Sequence, residues 1–111
     1  MVYKKPVLPP LDFSLKPSFT KKLNDRKIMA GYNGVLTASL QGHPKPKLRW
    51  YRGKVEIIDN PKYKTTFSQG IVQLEIRRAR PGDAGVYRLV AENGMGTDEC
   101  EATVVVKELK D

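Results

Sequence analysis

Apolar and polar side chains alternate along most of the chain with a period of two residues. The clearest case is the segment 72–77, in which Val72, Leu74 and Ile76 are apolar while the residues between them are polar or charged. Such alternation is typical of a strand with one buried face. Similar segments recur between turns that contain Gly, Pro or Asn, and no segment shows a helical period. The pattern therefore predicts an all-β domain with two antiparallel sheets.

The same pattern divides the chain into an arm, one domain and a short tail. Residues 1–16 contain three prolines and no hydrophobic period, which indicates an extended linker. Residues 17–108 are predicted to form the domain and 109–111 the tail, with a short irregular piece at 54–60. The strands are predicted at 17–23, 27–30, 35–41, 48–52, 62–67, 72–77 and 86–92. A last strand, after a hairpin at 93–96, is predicted to close the sheet with Cys100, Ala102, Val104 and Val106 on one face. The second strand is expected to cross to the other sheet after an interruption at residues 24–26.

Length and cysteine content restrict the class of protein. A chain of 111 residues has room for one core. Cys100 is the only cysteine, so no intramolecular disulfide can form, and no Asn-x-Ser/Thr glycosylation acceptor is present. There is no long apolar run and no signal-peptide pattern. These features favour a reducing, cytoplasmic location without a membrane partner.

The formal net charge of +8 is spread along the chain. A basic surface attracts acidic partners and accelerates encounter with them, although a single charge cluster is more often simply a solvated face. The strongest candidate for a protein-binding face surrounds the tryptophan strand and its expected neighbour, and its candidate residues are Lys45, Lys47, Arg49, Tyr51, Arg52 and Arg88.

The sequence offers little to catalysis. It contains no nucleophile-elbow, zincin, P-loop or calcium-loop spacing, and the lone His43 has no companion ligands at metal-binding spacing. Asp83 beside Arg80 could form a catalytic pair, but a carboxylate that locks a loop is the stronger interpretation. We therefore expect no enzyme activity, no metal and no cofactor.

Two spaced motifs identify a family resemblance: Gly42-x-Pro44-x-Pro46-x-Leu48-x-Trp50 and Asp83-x-Gly85-x-Tyr87-x-x-x-Ala91-x-Asn93-x-x-Gly96. Over about residues 17–108 they resemble the intermediate-set immunoglobulin domains of giant muscle proteins. More narrowly, the chain resembles the last immunoglobulin domain of myosin-binding protein C, twitchin and projectin-type proteins in the segments 25–26, 30–32, 44–47 and 68–78.

The resemblance implies an immunoglobulin-like β-sandwich with Greek-key connections. It places Trp50 on the third strand of that fold and Tyr87 in a tyrosine corner, where its hydroxyl bonds back to the preceding loop. It also puts Ala38 and Leu89 at the positions where many immunoglobulin domains carry their disulfide. The expected structural core consists of Leu36, Ala38, Trp50, Leu74, Asp83, Tyr87, Leu89 and Cys100.

The resemblance further implies a structural, protein-binding role in the sarcomere. Its expected partners are the myosin rod, titin-like proteins or neighbouring immunoglobulin and fibronectin domains, and the isolated domain is expected to be monomeric. Two alternatives stay open from the residues alone: a basic nucleic-acid-binding module and an extracellular adhesion domain. A stacking platform for bases is missing, since Tyr51 is the one well-placed exposed aromatic, so nucleic acid is not the expected partner.

We predict that thermal unfolding does not respond to dithiothreitol. A disulfide that closed a loop of about fifty residues would contribute roughly 4 kcal/mol, and burial of one leucine side chain contributes about 1.5–3 kcal/mol, so apolar packing can replace most of the crosslink. The measurement is the unfolding midpoint with and without the reductant. A large shift between the two would contradict the disulfide-free core.

Overall fold

Within residues 14–58 and 60–108, which the computed structural model describes, nine strands form two sheets that pack face to face. One sheet has the order β1-β3-β7-β6 and the other β2-β9-β8-β4-β5; β2 runs parallel to β9 and the other pairs are antiparallel. A 3-10 turn at Pro81–Asp83 precedes β8. The strands are β1 Leu15–Lys21, β2 Arg26–Met29, β3 Gly34–His43, β4 Lys47–Arg52, β5 Val55–Ile57, β6 Tyr63–Ser68, β7 Ile71–Ile76, β8 Gly85–Asn93 and β9 Gly96–Lys107.

The predicted all-β sandwich is confirmed, and so is the crossing of the first strand from one sheet to the other as β1 and β2. Two local predictions differ from the structure. β1 begins at Leu15 rather than at Pro17, because an irregularity in its register with β3 between Leu15 and Ser18 accommodates the proline. The piece predicted as irregular contains β5, whose three residues are too few to show a period. Residues 1–13, Asp59 and the predicted tail lie outside the described residues.

The core lies between the two sheets and is almost entirely apolar. Trp50 on β4 lies opposite Leu89 on β8, so the indole packs at the centre of the five-stranded sheet. Cys100 is buried in the same core, and burial raises the pKa of its thiol, so it behaves as a small apolar residue. The residues expected in the core that are buried are Leu36, Ala38, Trp50, Leu74, Tyr87, Leu89 and Cys100.

A pair of tyrosines closes the end of the core where β8 begins. The Tyr87 hydroxyl donates to the carbonyl oxygen of Asp83 at 2.6 Å, and the hydroxyl oxygens of Tyr63 and Tyr87 are 3.1 Å apart. A carbonyl oxygen can only accept, so the single Tyr87 proton is committed to it and Tyr63 must donate to Tyr87. The two rings meet edge to face, with centroids 6.1 Å apart. The hydroxyl chain therefore joins β6, β8 and the loop before β8.

The prediction that Asp83 belongs to the core is wrong: the residue is only partly buried, because its carboxylate locks that loop from the other side. Its Oδ2 accepts from the backbone N–H of Arg80 at 2.8 Å and lies 2.8 Å from Lys62 Nζ. Arg52 Nη1 is 3.7 Å from Asp83 Oδ1 and donates to the carbonyl oxygen of Gly82 at 2.8 Å. Charge-assisted bonds from β4 and from the residue before β6 thus hold the loop in place.

We predict that Tyr87→Phe destabilises the domain more than Tyr63→Phe. The first change leaves a carbonyl without its donor and Tyr63 without its acceptor, and should lower the free energy of unfolding by about 2 kcal/mol; the second removes one bond and should cost about 1 kcal/mol. Urea unfolding of both variants and of the double variant measures the two costs and their coupling. Equal costs for the two single changes would contradict the assigned proton order.

Candidate protein-binding face

The outer side of the five-stranded sheet carries most of the predicted binding residues. On β4, Lys47, Arg49 and Tyr51 point outward, while Trp50 between them points into the core. Arg88 on β8 lies opposite Tyr51, with its guanidinium carbon 4.7 Å from the centroid of the tyrosine ring. This distance fits a cation–π contact between the half-buried arginine and its neighbour.

The other two predicted binding residues do not join this face. Arg52 lies two residues after Trp50 and therefore on the same side of the sheet. Its guanidinium turns to Gly82 and Asp83 in the locked loop. Lys45 lies in the loop between β3 and β4 and places Nζ 4.9 Å from the centroid of the Phe67 ring, on the other sheet. Sequence spacing cannot show either outcome, because one residue ends a strand and the other lies in a loop.

The strand register adds carboxylates to every row of basic residues on the face. Glu92 is opposite Lys47. Val90 on β8 lies between Arg49 on one side and Glu99 on the other, so Glu99 is in the same row as Arg49. Glu101 is opposite Arg88. Glu56 on β5 lies opposite Tyr51. The sequence pattern did not reveal this role for Glu92 or for Glu56. The face is therefore bipolar, positive along β4 and negative along β9.

The described charged groups on the face do not form ion pairs with each other. The ion pairs found within residues 14–58 and 60–108 are Arg52–Asp83, Lys62–Asp83 and Arg77–Glu75, none of which lies on it. The acidic residues of the face and both Lys47 and Arg49 are exposed. Facing charges beyond contact distance interact weakly in water, so a partner can replace these solvated contacts with closer ones.

The described part of the chain offers no candidate metal site. Its His, Cys, Asp and Glu residues form no group of three or more that could hold a metal ion. The best-placed carboxylate, that of Asp83, is occupied by backbone and lysine contacts. None of the described residues forms a helix of the length and apolarity that crossing a bilayer requires.

Comparison with known proteins gives consistent matches. The family model described as the immunoglobulin I-set domain matches residues 17–106. The chain is 44% identical over 106 residues to slow-type myosin-binding protein C from Homo sapiens and 38% identical over 107 residues to the cardiac type from Rattus norvegicus; each match covers 96% of this chain. The chain spans only 9% and 8% of the length of those two relatives. A solved titin M4 domain superimposes with a TM-score of 0.84 at 27% identity, covering 86% of this chain and 100% of that one.

We predict that Arg52 supports the fold whereas Arg49 does not. Arg52→Ala removes the bond to Gly82 and one of the cations beside Asp83, and should lower the free energy of unfolding by about 1 kcal/mol. Arg49→Ala, on the exposed face, should change it by less than about 0.5 kcal/mol. Chemical denaturation of the two variants makes the comparison, and a larger loss for Arg49→Ala would show that the face, rather than the loop, depends on its arginine.

Proposed function

The chain belongs to the immunoglobulin I-set family, and from that premise we propose that it is a non-enzymatic structural module of a cytoplasmic, sarcomeric protein that binds the myosin rod. Titin-like proteins and neighbouring immunoglobulin or fibronectin domains are further partners of the same kind. We propose 17–108 as the domain, with residues 1–16 as a linker whose last two residues join β1, and 109–111 as a tail. As an isolated unit the domain is monomeric.

Similarity to muscle proteins supports the cellular setting of this proposal. Two of its curated relatives are forms of myosin-binding protein C, and one similar solved structure is a titin domain. The disulfide-free core suits the reducing conditions of a sarcomere, because its stability comes from apolar burial that a reductant does not affect. The single thiol is buried, which also fits a protein that is not crosslinked.

The observation that carries the proposed contact is the bipolar face. A coiled-coil rod often exposes glutamates and lysines at the positions that flank its hydrophobic seam, so it presents both signs of charge along its length. A face with cations on β4 and carboxylates on β9 can match both signs at once. Each exposed pair contributes about 0.2–1 kcal/mol, so several rows must engage together. Such binding is modest in strength and sensitive to salt.

Two observations argue against the two alternatives: the charge pattern of the bipolar face and the burial of the single cysteine. A nucleic-acid module needs a continuous series of cations along a phosphate backbone, whereas carboxylates interrupt the series here in every row. An extracellular adhesion role loses support because the only cysteine lies buried on β9 and cannot pair within the chain.

We predict that charge reversal on the face weakens co-sedimentation with myosin rod filaments. Lys47→Glu and Arg49→Glu each replace a cation that would pair with a glutamate of the rod by a carboxylate that repels it. Each change should reduce binding about threefold to tenfold at low ionic strength. Arg88→Glu should have at least the same effect, but its cation–π contact makes a folding check necessary. The measurement is the fraction of domain pelleted with the filaments across a series of protein concentrations.

The matched control is Lys64→Glu, which makes the same charge change on the outer side of the other sheet, where Lys64 lies opposite Glu75. It should leave the pelleted fraction unchanged. Equal losses for the control and the face variants would mean that only net charge matters. Unchanged binding after reversal of both Lys47 and Arg49 would rule out the face as the contact.

A further inference from the structure

The strand β3 is paired on both sides along only part of its length. β1 pairs with β3 from His43 to Ser39 and goes no further. The remaining part of β3, residues 34–38, pairs with β7 on one side only. On the open side the chain has already crossed to the other sheet, as β2. The four-stranded sheet therefore has a short free edge along β3, beyond the point where its pairing with β1 stops.

The backbone groups on this edge are those of Val35 and Thr37. The N–H of Leu40 donates to the Gly70 carbonyl at 2.8 Å, which is toward the β7 side. Successive residues of a strand direct their N–H and C=O groups to opposite sides, so the odd-numbered residues face the other way. Ser39 agrees with this, since its carbonyl oxygen accepts from the Thr20 hydroxyl on β1. Among the strands of residues 14–58 and 60–108, none pairs with Val35 or Thr37 on that side.

A groove runs along this edge between β2 and β3. It comprises cavities of about 420 and 160 Å³ that share Arg26 in their walls. Its apolar surface comes from Met29, Tyr32 and Val35, whose exposed fractions are 37%, 63% and 37%. Large apolar side chains exposed together beside an unpaired strand edge are typical of a binding surface rather than of a solvated one.

The groove is also strongly basic. Its two cavities are lined by Lys21, Lys22, Arg26 and Lys27, and their lining contains no acidic residue. Asp25 lies within the same stretch, but its Oδ1 accepts from the backbone N–H of Thr103 on β9. None of the four cations belongs to an ion pair found among the described residues. The groove thus concentrates positive charge, in contrast to the bipolar face.

We propose that this β2–β3 groove binds an extended, acidic segment of a partner protein, which pairs with β3 as an additional strand beyond the end of β1. Main-chain bonds to Val35 and Thr37 would supply the alignment. Alternating carboxylates of the segment would face the lysines and arginines, and apolar residues between them would cover Met29 and Tyr32. The proposal concerns a different surface and a different partner from the rod contact, and does not depend on it.

Other occupants fit less well. The N-terminal residues carry Lys4 and Lys5, and β1 starts beside His43, at the opposite end of β3 from the groove. A second copy would bring another net charge of +8 to a basic surface. Charge complementarity therefore selects an acidic segment from a different protein.

The test uses a fluorescein-labelled peptide of alternating glutamate and valine, titrated against the full chain and followed by fluorescence anisotropy. Arg26→Glu combined with Lys27→Glu should weaken binding about tenfold or more. The matched control, Lys47→Glu combined with Arg49→Glu, makes the same charge change on the bipolar face and should stay within about twofold of the native protein. Melting temperatures verify that both variants fold. In amide NMR spectra, the signals of Val35 and Thr37 should shift as peptide is added.

Two further controls separate strand pairing from simple attraction. The same peptide with N-methyl groups on alternate residues cannot form the main-chain bonds and should lose most of its affinity. Equal binding of the methylated peptide, or equal weakening by both double variants, would overturn the proposal. Sedimentation velocity supplies the last check: a dimer of the native chain that the Arg26→Glu, Lys27→Glu variant abolishes would show that the occupant is a second copy.

Discussion

The alternation of side chains along β8 fixes both the core and the outer face of this domain. Tyr87, Leu89 and Ala91 point inward and are fully buried, whereas Arg88 and Glu92 point outward into the bipolar face. Because the strand lies between β4 and β9, its inward row determines where Trp50 packs and its outward row determines which charges meet. A shift of one residue would reverse both sets at once. Core and surface are therefore consequences of a single register.

The register is stabilised without a covalent crosslink. Ala38 and Leu89, at the two positions where a disulfide would lie, are both buried in apolar surroundings. Burial favours the sandwich in general but does not choose among nearby registers. That selection comes from directional contacts at the start of β8, where the Tyr87 hydroxyl donates to the Asp83 carbonyl and the Asp83 carboxylate accepts from the Arg80 N–H. Burial raises the pKa of Tyr87, so its hydroxyl stays protonated as a donor up to alkaline pH.

The sequence allowed the fold to be predicted more completely than the candidate surfaces. Alternation and motif spacing suffice for the two sheets, for Trp50 and for Tyr87, because these depend on local periods. The destination of Arg52 depends on a hydrogen bond with Gly82, thirty residues away, and the compensation of Lys47 by Glu92 depends on the register of two strands. The free edge of β3 depends on where β1 leaves the sheet. Long flexible side chains and strand crossings are set by tertiary contacts that a period cannot show.

The net charge of the chain is distributed unequally between its surfaces, and this gives them different physical roles. On the bipolar face, opposite charges in each row cancel at a distance, so the recognition proposed there would depend on matching individual rows at short range. In the β2–β3 groove no acidic side chain lines the cavities, so the field of Lys21, Lys22, Arg26 and Lys27 extends farther and attracts acidic chains before contact. The two surfaces lie on different sides of β2, with the groove toward β3 and the face beyond β9. The proposed rod contact and the proposed strand-pairing contact therefore occupy separate surfaces, so neither would block the other.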